Sequence, residues 1–173
     1  MAVTYEPIAS TTLGSDAASY EFTGIPGTYT DLICVVRVRS TKASGEDSYT
    51  LQVGNSSVDT GSNYSRTRLF GDGSAANSGR SSSQANIGME DLPVANATAD
   101  TFGVNVVQFM SYANTNVYKT ILYANAANGT SYIFRSVGLW RSTSAITNVK
   151  FSATSGNNFK AGSTFSLFGV KAA

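Results

Sequence analysis

Apolar and polar residues alternate with a period of two along most of this chain, the mark of half-buried β-strands. No window repeats apolar residues at i, i+3, i+4 and i+7 over three turns. Gly, Ser, Thr and Asn interrupt every candidate, so no substantial helix is predicted. The first strand, VTYEPIAST, holds a proline at position 7, which fits an edge or a bend. SYEFTGI follows, with Tyr20, Phe22 and Ile25 on one face. Pro26 and Gly27 then suit a type II turn. DLICVVRVRS sets Leu32, Cys34, Val36 and Val38 against Ile33, Val35, Arg37 and Arg39. SYTLQVG points Tyr49, Leu51 and Val53 inward, and NYSRTRLFG sets Tyr64, Arg66 and Arg68 against Ser65, Thr67 and Leu69. Residues 71–86 are rich in Gly, Ser and Asn with little to bury, and read as an exposed loop.

The second half repeats the pattern. TFGVNVVQFMSY carries Phe102, Val104, Val106 and Met110 on one face and pairs with VYKTILYAN across a hairpin. TSYIFRSVGLWRS sets Tyr132, Phe134 and Trp140 against Ile133, Val137 and Leu139. ITNVKFSAT and STFSLFGVK close the chain, joined by SGNNFKAG. About nine or ten strands result, with no helix to carry the crossovers a parallel sheet needs. The expected fold is all-β: one domain over 1–173, an antiparallel two-sheet β-sandwich of jelly-roll type.

The last strand poses a problem. Phe165 and Leu167 face one way, Phe168 and Val170 the other. A sandwich covers one face only, so the second apolar face needs another cover.

Composition narrows what that cover is. Charged residues are only 13% of the chain, against about 25% in a typical soluble domain, and hydroxyl and amide side chains replace them. The net charge of +1 gives no global field to draw in nucleic acid or an anionic membrane. The charges are nonetheless split: all 11 acidic residues lie in 1–100, while 101–173 hold 6 Lys/Arg and no acid. Either strands from the two halves interleave and cancel, or one positive surface docks on a negative one. No secretory leader or membrane span is expected. Cys34 has no partner for a disulfide and reads as a small buried hydrophobe.

Candidate chemistry is sparse. The chain has no histidine, which excludes Ser-His-Asp and Cys-His catalysis and histidine metal ligands. The acids fall at predicted turns and strand ends, where solvated carboxylates normally sit. GDGSAANSG is a weak calcium-loop match, because Asp72 stands alone where calcium needs several carboxylates. No catalytic residue, metal or cofactor is expected. Tyr112, Tyr118 and Tyr123 are the tyrosines least committed to a core, and would suit a partner chain or a sugar ring.

Three stretches carry a resemblance: Tyr29-Thr30-Asp31-Leu32, Trp140-Arg141-Ser142-Thr143, and a close made of Phe159, Gly162, Ser163, Thr164, Phe165, Leu167 and Gly169. Together they resemble a family of small β-sandwich modules encoded by tailed bacteriophages, found in capsid decoration proteins and tail-fibre tips. The match spans both ends of the chain and leaves about 40–100 unanchored. Fibre modules follow a long shaft, whereas here Met1 lies almost at the first strand. The resemblance therefore implies a non-enzymatic structural protein on the outer surface of the virion, made in the host cytoplasm. It would be a capsid decoration or cement protein, assembled as a homotrimer against the major capsid protein or a tail or fibre adaptor. Phe168, Val170, Arg37 and Arg39 are the expected subunit interface. The alternative is a tail-fibre or head-fibre tip that binds a host surface glycan.

Overall fold

The computed structural model describes residues 5–90, 92–126 and 132–171. These form thirteen strands, where about nine or ten were expected, and no helix among the described residues. Eight strands make the larger sheet: β1 (Tyr5–Thr12), β3 (Asp31–Val38), β6 (Tyr64–Gly71), β7 (Ala76–Gln84), β9 (Gly103–Phe109), β10 (Lys119–Ala126), β11 (Ile133–Trp140) and β13 (Thr164–Val170). Their order across the sheet is β1-β13-β3-β9-β10-β11-β6-β7. The smaller sheet runs β2 (Ser19–Phe22), β12 (Asn148–Ala153), β4 (Ser48–Asn55) and β5 (Ser57–Val58), with β8 (Ile87–Glu90) also paired to β4. All recorded pairings are antiparallel. The fold is thus an all-β antiparallel sandwich, as its alternation predicts.

The core lies between the sheets. Cys34, Val36, Val107, Phe109, Ile121, Phe165 and Leu167 of the larger sheet are buried against Tyr49, Leu51, Val53, Ile87, Met89, Val149 and Phe151 of the smaller. Aromatic rings knit its centre: Phe159 meets Phe165 edge-on at 5.4 Å and Tyr49 at 5.7 Å, while Tyr20 stacks on Phe165 at 4.8 Å. Burial pushes the Cys34 thiol pKa well above its ordinary value, which leaves it an unreactive filler.

Three local expectations change. The stretch 71–86 holds strand β7, which pairs with β6 through a bulge between Tyr64 and Arg66. Its side chains are mostly exposed on both faces. It joins the sheet through its main-chain ladder to β6 and buries little, so no alternation betrays it in the sequence. Just before it, Asp72 caps its own turn, accepting from the main-chain N–H of Ser74 at 2.9 Å and of Ala75 at 2.8 Å. In β9 the buried face carries Gly103, Asn105, Val107 and Phe109, so Val104 and Val106 point outward, the reverse of what their apolar character suggests. At the corner after β2 the left-handed residue is Gly24, with φ 64, rather than Gly27. The connection between β12 and β13 is a loop as expected, and its Phe159 is fully buried in the core.

Close approach fixes several glycines, two of them in or beside the last strand. A Cβ on Gly169 would lie 2.3 Å from the Tyr29 ring. Gly162, at φ 89, lies under Phe102, 3.3 Å from where a Cβ would stand. No helix of the described residues is long and apolar enough to cross a membrane.

Candidate functional site

The outer face of the eight-stranded sheet is the feature without a structural explanation inside the chain. Inter-strand register aligns it in rows. One row runs Phe168, Ile33, Gln108, Leu122, Val137, Thr67 from β13 to β6. The next runs Ser166, Val35, Val106, Ala124, Arg135, Leu69. Val106 is 44% exposed, Leu122 and Val137 42%, and Leu69 58%. These side chains surround a shallow hollow of about 570 Å³. An outward sheet face facing water ordinarily carries polar residues; this one carries apolar side chains on all six strands from β13 to β6.

Its charges are few and mostly positive. Arg37 is exposed on β3, its guanidinium 4.2 Å from the centre of the Phe102 ring. Arg135 is exposed on β11. The carboxylate, Asp31, sits at one end and accepts from the Ser111 N–H at 2.6 Å.

Of the expected interface residues, Phe168 and Val170 do lie on this face, half-buried between β1 and β3, and Arg37 joins them. Arg39 does not. Strand β3 ends at Val38, and the chain turns Arg39 inward to 5% exposure. Its guanidinium donates to the carbonyls of Ala95, Ala97, Thr98 and Thr101 at 3.0–3.4 Å. It pins the loop after β8 and is unavailable to a neighbour.

The three tyrosines also separate. Tyr118 is 54% exposed in the β9–β10 connection. Tyr112 is fully buried; its hydroxyl donates to the Pro26 carbonyl and accepts from the Tyr29 N–H at 3.3 Å. Tyr123 is buried and donates to the Gly88 carbonyl at 3.0 Å. Neither is free to contact a glycan or a partner. Their hydroxyls find carbonyls far away in sequence, which no local pattern announces.

The carboxylates serve the fold. Asp59 accepts from the Trp140 indole N–H at 2.7 Å, from Asn63 at 2.8 Å and from the Gly61 N–H at 2.7 Å. Burial raises its pKa, but these donors outweigh it and hold the carboxyl below its ordinary value. Asp47 is buried among Ser40, the Ser48 N–H and Asn157. Glu90 is shared by Arg66 and Arg68. No cluster of three or more metal-ligating side chains occurs among the described residues. Lys119, fully buried, is equally structural: its ammonium donates to the carbonyls of Asn114, Val117 and Thr143 at 2.5–3.1 Å.

A second concavity, missed in the sequence, opens on the other side of β6 and β11. Phe70, Phe134 and Tyr132 wall it, with Arg68 and Glu90 beside them and Lys42 and Glu46 across.

The motif residues prove to be fold determinants. Phe159 and Phe165 centre the aromatic core; Gly169 seats Tyr29; Trp140 binds Asp59; Arg141 donates to the Ser62 carbonyl at 2.7 Å. No family model and no curated protein matches the chain. Among solved structures, a functionally unknown protein from Saccharomyces cerevisiae is similar at 9% identity, covering 96% of this chain and 85% of the other with a TM-score of 0.31. A likeness that weak bears on neither fold nor role.

Proposed function

We propose that this chain is a structural protein of a bacteriophage virion, a homotrimeric capsid decoration or cement protein that works by packing surfaces together. The observation that carries the reading is the apolar outer face running from Phe168 across Ile33, Leu122 and Val137. Full burial of a Leu, Ile, Val or Phe side chain is worth about 1.5–3 kcal/mol, and these are already half covered, so each adds roughly 1 kcal/mol when a partner closes over it. Several together suffice for a stable interface if shape and charge agree. In this reading part of the face is shared between copies of the chain around a threefold axis, and the rest seats on the capsid shell. The motifs shared with phage β-sandwich modules support the class of protein; since they build the core, they do not choose between head and tail.

Light scattering on the purified chain tests the assembly. The wild type is expected as a trimer and Phe168→Asp as a folded monomer; a trimer that survives Phe168→Asp removes this face from the subunit contact. Mapping the protein in separated heads and tails tests the location, with heads expected. Its presence in tails alone would overturn the decoration reading.

A further inference from the structure

We propose that the cleft between β6, β11 and the β3–β4 loop is a binding site for a neutral sugar. The cleft encloses about 420 Å³. One wall is aromatic. Phe70 and Phe134 face each other across paired strands at 5.3 Å and 20°, and Tyr132 meets Phe134 at 5.9 Å and Phe70 at 6.2 Å. Phe134, 6% exposed, is the foundation; Phe70 and Tyr132 are half-buried and form the accessible surface.

The polar lining decides the ligand's charge. A bare cation would seek the ring faces and the carboxylates, but the Phe70 ring and one oxygen of Glu90 already hold arginines. Arg68 sits 5.1 Å from the centre of the Phe70 ring and holds Glu90 at 2.5 Å, with Arg66 on the same carboxylate oxygen. An anion would face Glu46, Asp47 and Glu90. The donors (Arg68, Lys42, Ser48) and acceptors (Glu46, Glu90, the Ser155 hydroxyl) are interleaved around the rim. The fitting ligand is uncharged, has one apolar face for the rings, and carries groups that both donate and accept. A pyranose ring has all three properties: axial C–H bonds on a flat face and hydroxyls at its edge.

This site is separate from the outer-face packing reading, since its aromatic wall points to the other side of the same strands. The test is saturation-transfer NMR on the full chain with maltotriose, cellotriose and N,N′,N″-triacetylchitotriose, each at about 2 mM, enough to populate a millimolar site. At least one is expected to receive saturation. Tyr132→Ala and Phe70→Ala, each confirmed as folded by thermal melting, are expected to weaken that binding roughly fivefold to tenfold. Phe168→Asp on the opposite face is expected to leave it unchanged. The proposal is overturned if none of the three sugars receives saturation, or if the folded aromatic variant binds as tightly as the wild type. A preference for oligolysine or oligoglutamate peptides over all three sugars would overturn it too. Because the packing reading is scored by oligomeric state, failure of one leaves the other standing.

Discussion

The two faces of the eight-stranded sheet are built from nearly the same residue types and meet different fates. On β3, Leu32, Cys34, Val36 and Val38 are fully buried, while their neighbours Ile33 and Val35 are only half covered. On β13, Phe165 and Leu167 are sealed and Phe168 and Val170 are not. The smaller sheet accounts for the whole difference. It covers one face and leaves the apolar side chains of the other only partly hidden. A strand's composition records how many covers it expects; its own fold supplies one of them.

This contrast can be broken in order of size. Phe165→Ala removes a ring from the centre of the aromatic cluster and is expected to cost about 3–5 kcal/mol in urea unfolding. If the loss were as small as that of an outer-face residue, the two faces would not differ in the way described. Asp59→Ala tests what fastens Trp140 at the end of β11. Three donors hold this partly exposed carboxylate, so the loss is expected near 1–2 kcal/mol at neutral pH. Its folded pKa lies below its unfolded one, so the stabilisation is full above the ordinary aspartate value of 3.8 and is lost as pH falls through the folded value. Thermal melts from pH 6 down to about 2 should show that acid-side loss in the wild type and a reduced one in Asp59→Ala. Leu122→Asp is the smallest change to the fold itself, expected within about 0.5 kcal/mol for the single chain because the side chain already meets water. It should nonetheless abolish self-association in light scattering. A large drop in the fold's own stability would mean that the outer face is already covered within the chain.

The fold was legible because alternation is a local signal: each of the ten sequence segments became a strand. The misreadings of β7 and β9 have one cause. Where both faces are alike, alternation loses its direction. Val104 and Val106 look as buriable as Val107 and Phe109, so the inward face of β9 could not be chosen. In β7 both faces are polar, and nothing marked a strand at all. Long-range partners were equally invisible. Arg39 and Lys119 look like surface cations until distant loops bring carbonyls to them. The cleft draws on Phe70 from β6, Tyr132 and Phe134 from the region of β11, and Glu90 from β8, and none of these stretches mentions the others. The outward placement of Phe168, Val170 and Arg37 was legible because their strands carry apolar residues with no inward job to do.

The seating of Tyr29 over Gly169 has an evolutionary corollary. The ring occupies the space that a side chain would need, so the beginning and end of the chain are matched as lock and key. A recombination event that exchanged only one terminus with a relative lacking the matching residue would put a methyl group into an aromatic ring, or leave a hole beneath the sheet. Viable hybrids should therefore inherit both termini from the same parent and shuffle what lies between.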